Sequence, residues 1–214
     1  MKIGLVCDWF APRLGGIETQ LADLAGALRA RGHEAHVITA TPGPAQRHVH
    51  RLGVPLVPGW RVVRSRRALD ALHALLAREG YDVVHAHSLY SPLAHAATYL
   101  ASLIGVPSLL TSHSLVDRAT ALVLRAFVPE WAAWPTRLSA VGSLAAEQLR
   151  TLSARGEVAL LPNCIDAALF AAPARPPRPI VTIESVLRLH PRKRPLALVR
   201  AVPEVSRGAQ AHCL

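Results

Sequence analysis

Three histidines carry the clearest chemical potential in this chain. His85 and His87 alternate within a mostly apolar run, so on a strand both point to one face. His113 stands between Ser112 and Ser114, at the end of another apolar run. An imidazole so placed can donate a hydrogen bond to a sugar hydroxyl or move a proton at a reacting centre. It can equally be a polar residue satisfied by its neighbours. Two histidines on one side also begin a metal site, but no third ligand follows at a matching spacing. Polar lining of a crevice is the better reading. The doublet Gly15-Gly16 lies just before a helical pattern, where a glycine turn lets backbone N–H groups approach an anion. Its plainer reading is a tight turn.

These residues must be positioned by something, and the apolar periodicity says what. Ile3 to Cys7 is a short apolar run closed by Asp8 and reads as a buried parallel strand. Ile17, Leu21, Leu24 and Leu28 recur at helical spacing, with Gly32 just beyond as a C-cap. Ala35 to Thr39 is the second strand. The stretch that follows is rich in Pro, Gly, His and Arg and reads as loop, with a weak strand near Val54–Val57 or Arg61–Val63. Ser65 caps a helix running to Glu79, with Leu69, Leu72 and Leu76 as its buried stripe and Gly80 as its end.

The alternation continues. Val83 to Ala86 is a strand, and Ser91-Pro92 starts a helix ending at Gly105. Ser108 to Thr111 is a strand, and a helix from about Asp117 to Val128 is closed by Pro129. Arg137 to Val141 is a strand, Ser143 caps a helix to about Ser153, and Val158 to Leu161 is the last strand of the set. Strand–helix alternation of this kind implies an α/β fold, a doubly wound parallel sheet with helices on both faces. Its ligands bind beyond the carboxyl ends of the strands. Those ends carry Asp8, His85 to Ser88, Thr111 to Ser114, Gly142-Ser143 and Pro162-Asn163.

Several functions are excluded on motif grounds. No GxGxxG follows the first strand, and the second ends in Thr39-Ala40-Thr41 with no acid for a ribose, which argues against a nicotinamide dehydrogenase. No nucleophile elbow, P-loop or carboxylate pair is present. The formal charge is +10, from 24 Lys+Arg against 14 Asp+Glu, which fits an anionic partner. All but Lys2 and Lys193 of those cations are Arg, a bias that composition alone could produce. With only 5% aromatics, base stacking on single-stranded nucleic acid is disfavoured. The cysteines Cys7, Cys164 and Cys213 are scattered, and no signal peptide or membrane span is evident. A cytoplasmic protein is expected, with peripheral contact to an anionic inner membrane face through basic residues around Arg61 to Arg67.

Past Asp166 the texture changes. Residues 167–179 are a Pro-rich linker, and 180–214 begin a second β-α unit. There Ile180 to Val186 reads as a strand, RLHPRKRP as a basic turn, and Leu196 to Val205 as a helix that Pro203 interrupts or ends. Residues 1–166 are the first domain, and the second is expected to be truncated.

Together these motifs resemble family 4 glycosyltransferases of the GT-B fold. CDWFAPRLGGIETQLADLAGALRARGHEAHVIT is similar to the family's first strand, glycine loop and helix, and DVVHAHSLYSPLAHAATYLASLIGVPSLLTSHS to its central β-α-β. LLPNCIDAALF resembles its hinge motif, and RLHPRKRP the start of its donor-binding domain. HSLYSPLAH with TSHSL is most similar to the branch that modifies phosphatidylinositol with N-acetylglucosamine or mannose.

The resemblance implies a Rossmann-like acceptor-side domain, a nucleotide-sugar donor, a lipid or glycan acceptor, retention of configuration, and no metal or other cofactor at the reaction centre. It implies His113 as the catalytic candidate. The candidates for donor or acceptor binding are Asp8, Gly15, Gly16, Glu18, His87, Asn163, Arg188 and Lys193. Arg188 and Lys193 match a pair that neutralises the donor diphosphate. Two departures are visible: Cys164 and Arg194 stand where the family usually has glycine. The other reading is a non-catalytic remnant or acceptor-binding module.

Overall fold

The computed structural model describes residues 1–52, 66–125, 135–153, 156–171, 184–187 and 189–206. The chain divides into two units, Met1–Ile165 and Asp166–Leu214.

The first unit is built on seven strands: β1 (Lys2–Cys7), β2 (Glu34–Thr39), β3 (Val49–Arg51), β4 (Val83–His87), β5 (Ser108–Ser112), β6 (Arg137–Ala140) and β7 (Ala159–Leu160). Their order is β3-β2-β1-β4-β5-β6-β7, and every pairing is parallel. This is the doubly wound α/β sheet that the alternation predicts. All carboxyl ends therefore open on one side.

Helices α1 (Gly16–Ala30), α2 (Arg66–Glu79), α3 (Pro92–Leu103), α4 (Arg118–Arg125) and α5 (Ser143–Ser153) connect the strands. The two faces of the sheet carry separate cores. Ile3, Leu5, Cys7 and Val37 pack with Leu21 and Ala25 of α1, flanked by Ile17, Leu24 and Leu28. Val6, Ile38, Val84, Ala86, Leu110 and Leu138 pack with α2, α3, α4 and α5. Alternation along each strand produces this division, because successive side chains leave the sheet on opposite sides. At about 0.8 kcal/mol per buried CH₂, two continuous apolar layers far outweigh any single polar contact.

Helix punctuation is mostly as the residue types dictate. Ser91 caps α3 by accepting from the Ala94 N–H at 3.1 Å, with Pro92 as the first helical residue. Gly32, Gly80 and Gly105 follow α1, α2 and α3 with φ of 81°, 62° and 72°. Asp117 caps α4 through the Thr120 N–H at 2.9 Å. The α2 stripe is Ala68, Leu72, Leu75 and Leu76, with Leu69 only partly buried.

One element departs from the sequence reading. β3 lies at Val49–Arg51, inside the segment read as loop. Its side chains are only half-buried, so no apolar run announces it. Backbone bonds hold it: Val37 N–H donates to His48 O at 2.8 Å and Leu52 N–H to Thr39 O at 2.9 Å. The alternatives at 54–57 and 61–63, the Ser65 cap and the stop at Pro129 lie outside the described residues.

The second unit has 3-10 turns at Ala167–Phe170 and Pro191–Lys193 and a helix, α6 (Pro195–Ser206). α6 runs through Pro203 rather than stopping there. A proline there cannot donate to the carbonyl four residues back, so the helix continues with one ladder bond fewer. Arg188, residues 172–179 of the linker and 180–183 of the expected strand lie outside the described residues, while Glu184, Ser185 and Val186, the described end of that strand, are exposed and in no strand.

Candidate functional site

The carboxyl end of β4 brings His87 to the middle of the sheet edge, and the end of β5 brings His113 beside it. The register pairs His87 with Thr111, two residues before His113. The result is a direct contact: His87 Nδ1 and His113 Nε2 are 3.0 Å apart. His85 lies under His87 on the same face, with ring centroids 4.0 Å apart. Its Nε2 is 2.7 Å from Thr111 Oγ1, which is 2.6 Å from Ser139 Oγ. A polar ladder thus crosses β4, β5 and β6 on the face opposite Val84 and Ala86.

Burial keeps these rings neutral. It holds His85 and His113 down to about 4, His85 also feeling His113. Burial, then the charges of His85 and His113, pushes His87 well below the ordinary range. Neutral imidazoles can donate and accept hydrogen bonds, so the trio is fit for hydrogen bonding near pH 7, and its lowered basicity makes it a weak base there. Nε2 of His87 and Nδ1 of His113 are buried without a hydrogen-bond partner in the protein. Unsatisfied buried polar atoms are rare and call for a reason.

The loops after β4 and β5 support the pair. Ser88, right after His87, has φ of 77°, the left-handed region that costs a non-glycine residue on the order of 1–3 kcal/mol. Ser88 N–H donates to Thr111 O at 2.8 Å and its Oγ accepts from Tyr90 N–H at 3.2 Å. Tyr90 Oη reaches across to Asp117 Oδ2 at 3.2 Å. Gln148 of α5 clamps the same loop from below: its Oε1 accepts from Val116 N–H at 2.7 Å and its Nε2 donates to Val116 O at 2.6 Å. Sequence reasoning names Ser88 only as part of the β4 end and misses Tyr90 and Gln148. Only the Tyr in HSLYSP, next to a strand end, offers any signal.

The loop after β1 opens on the same side. Asp8 is 8% exposed and committed to the protein itself. Its Oδ2 accepts from the Ser91 hydroxyl and from Leu93 N–H at 3.0 Å, while its carbonyl accepts from Thr39 and Thr41. Burial raises its carboxyl, and the bonds from Ser91 and Leu93 oppose that. Asp8 therefore joins β1 to the N-terminus of α3.

The glycine doublet divides. A Cβ on Gly15 would fall 2.3 Å from Glu18 Oε2, whereas one on Gly16 would meet nothing within 4 Å. Glu18 is buried at the first turn of α1 and pairs with Arg13 at 2.9 Å, Arg13 also lying over the Trp9 ring. An acidic side chain thus already faces this helix N-terminus, as the dipole favours. Gly16 is the glycine with open space beside it.

The structure brings His87 and His113 together and places Asp8 and Gly15 in the loop after β1, and Gly16 and Glu18 in the first turn of α1, at the same sheet edge. Asn163 is exposed after β7, and Cys164, also exposed, is outside the positive-φ region, so no strain attends its side chain. In the second unit Lys193 is exposed, and Arg194 has φ of 50°, a position that favours glycine. Arg188 lies outside the described residues.

Comparison with known proteins agrees with this architecture. Residues 14–169 match the family described as Glycosyltransferase Family 4. A phosphatidylinositol N-acetylglucosaminyltransferase component from Arabidopsis thaliana is 29% identical over 97% of this chain and 49% of its own length. Phosphatidyl-myo-inositol mannosyltransferase of Mycobacterium tuberculosis is 30% identical over 96% of this chain and 57% of its own. The chain spans about half the length of these curated relatives. A glycosyltransferase structure from Rickettsia africae superposes with a TM-score of 0.59 at 14% identity, covering 79% of this chain and 45% of that one. With the doubly wound sheet and a match over residues 14–169, the chain belongs to glycosyltransferase family 4.

Proposed function

We propose that the chain forms the acceptor side of a retaining glycosyltransferase that moves a sugar from a nucleotide-sugar donor to phosphatidylinositol or another lipid. The observation that carries this is the buried His87–His113 pair, neutral near pH 7, with a nitrogen unsatisfied on each ring. A polyol such as inositol or a hexose offers hydroxyls that can pair with such nitrogens after a small turn of the His113 ring. His113 then accepts a proton from, or donates a hydrogen bond to, the reacting sugars. The Arabidopsis and Mycobacterium relatives are named for phosphatidylinositol, which supports a lipid acceptor.

Gly16 leaves room for an acceptor phosphate beside α1. Arg188 and Lys193 hold the donor diphosphate, whose negative charge grows as it leaves. The basic face of α2, with Arg66, Arg67, His73 and Arg78 exposed, lies on an anionic membrane. No described helix is long and apolar enough to cross one.

A second reading is an acceptor-binding module. It is favoured by the seven-stranded sheet, which residues before 165 complete by themselves. On this reading the 214 residues bind acceptor without turning over.

Co-sedimentation with vesicles tests the proposal. Retention on phosphatidylinositol vesicles above phosphatidylcholine vesicles, weakening with salt, is the expected result. Equal retention on both overturns the lipid-acceptor assignment. A panel of labelled nucleotide sugars in the same vesicles separates the two readings: labelled lipid product identifies an enzyme, and its absence with binding intact identifies a module.

A further inference from the structure

We propose that His36, His50 and Glu79 form a binding site for a zinc-class divalent metal ion, separate from the histidine pair at the carboxyl edge of the sheet. The parallel register sets it up. Lys2 pairs with Glu34, Gly4 with His36 and Ile38 with His50, so these side chains share the α2 face of β1, β2 and β3. The last residue of α2, Glu79, arrives at the same place. The Tyr81 ring packs over Gly4, 3.4 Å from where a Cβ would stand.

The distances suit a tetrahedral ion. His36 Nδ1 lies 2.9 Å from His50 Nε2 and 3.8 Å from Glu79 Oε2, and the three ligand atoms all lie within 4.8 Å of one another. An ion at about 2.0–2.2 Å from each ligand separates them by roughly 3.4 Å, between the two observed distances. Small side-chain shifts suffice.

The outer nitrogen of His36 points the same way. His36 Nε2 lies 3.0 Å from Glu34 Oε1, at ion-pair distance but not aligned as a hydrogen bond, and a small turn of the Glu34 carboxylate would align it. A carboxylate on the far nitrogen of a metal-binding histidine fixes its tautomer and raises its basicity. With the proton on Nε2, the Nδ1 lone pair faces His50 and Glu79. His36 is 6% exposed, so the ion would be shielded on that side. His48 lies near the Glu34 side of the same ring but belongs to a different ligand set.

The charges present are two carboxylates, Glu34 and Glu79, against Lys2 and Arg78. Lys2 Nζ is 3.3 Å from Glu34 Oε1 and 2.9 Å from Glu79 Oε2, and Arg78 holds Glu79 Oε1 at 3.1 Å. A metal takes Oε2 from Lys2, which keeps Glu34 as its partner. The ion ties edge strand β3, held otherwise by backbone bonds to β2, to the end of α2. It is a structural clip, with a fourth position open to water.

The experiment is zinc titration by calorimetry of untagged, chelator-treated chain in a Cys164→Ser, Cys213→Ser background, with cobalt absorption as the geometric readout. The expected result is one saturable equivalent, a tetrahedral cobalt spectrum, and a rise in Tm of about 5 °C at a hundredfold excess over Kd. Glu79→Gln and His50→Gln should each weaken binding at least tenfold, and Glu34→Gln roughly tenfold. Circular dichroism verifies that each variant is folded, and Glu79→Gln, on an ion-paired surface group, decides if His50→Gln is not. No saturable equivalent, or affinity unchanged by Glu79→Gln, overturns the site.

Discussion

Nδ1 of His87 and Nε2 of His113 face each other at 3.0 Å, so one ring must donate and the other accept. The two imidazoles therefore hold one tautomeric state between them. Protonating the accepting ring would place a second proton in the gap, protonating the donating ring would use its outer nitrogen, and either puts a charge in a buried site. The polar ladder through His85, Thr111 and Ser139 adds a further constraint on the same face.

Acid should destabilise the first unit through this cluster. His85 and His113 sit at about 4 in the folded state, below the ordinary 6.5. The unfolded chain thus takes up protons first as pH falls. Stability is full above about 6.5 and declines as pH drops toward 4, by up to about 3 kcal/mol for His85. Asp8, raised by burial, works in the opposite direction at the acid end. Thermal melts from about pH 7.5 to 4.5 check this. The slope should flatten in His85→Gln, and an unchanged slope there would assign acid sensitivity elsewhere.

Asp8→Ala should cost about 1–3 kcal/mol, because it leaves the Ser91 hydroxyl and Leu93 N–H unpaired in a buried place. Urea denaturation measures it. A loss below about 0.5 kcal/mol would mean that α3 does not depend on this cap.

Gln148→Leu should cost about 2 kcal/mol and free the loop that carries His113. It removes both bonds to the Val116 backbone while keeping side-chain volume. Hydrogen exchange at residues 113–117 should quicken while the strand amides stay protected. Unaltered exchange in that loop would show that Tyr90 and Asp117 suffice.

Much of this is legible in the sequence, and the exceptions have physical reasons. Strands such as Ile3 to Cys7 and helices such as α1 declare themselves because their burial leaves apolar periodicity. β3 does not, since Val49–Arg51 is held by backbone bonds and carries His50 and Arg51. His87 and His113 are legible as strand-end polar residues, but their contact depends on β4–β5 register. The attachment of Asp8 to Ser91 spans 83 positions, and nothing local in either segment encodes it. Ser88 holds positive φ without the glycine that would announce it. The glycine doublet reads as one turn, yet only the packed structure separates Gly15, pressed on Glu18, from Gly16, facing open space.

The most direct test of the proposed acceptor crevice is calorimetric titration of the chain with glycerophosphoinositol, the soluble head group of the expected lipid. The account predicts saturable one-to-one binding, at least tenfold weaker in Gly16→Val with Tm unchanged, because a Cβ there meets no protein atom within 4 Å and stands in the space proposed for the ligand. Glycerophosphocholine binding equally well, or Gly16→Val binding as tightly as the unaltered chain, would contradict it.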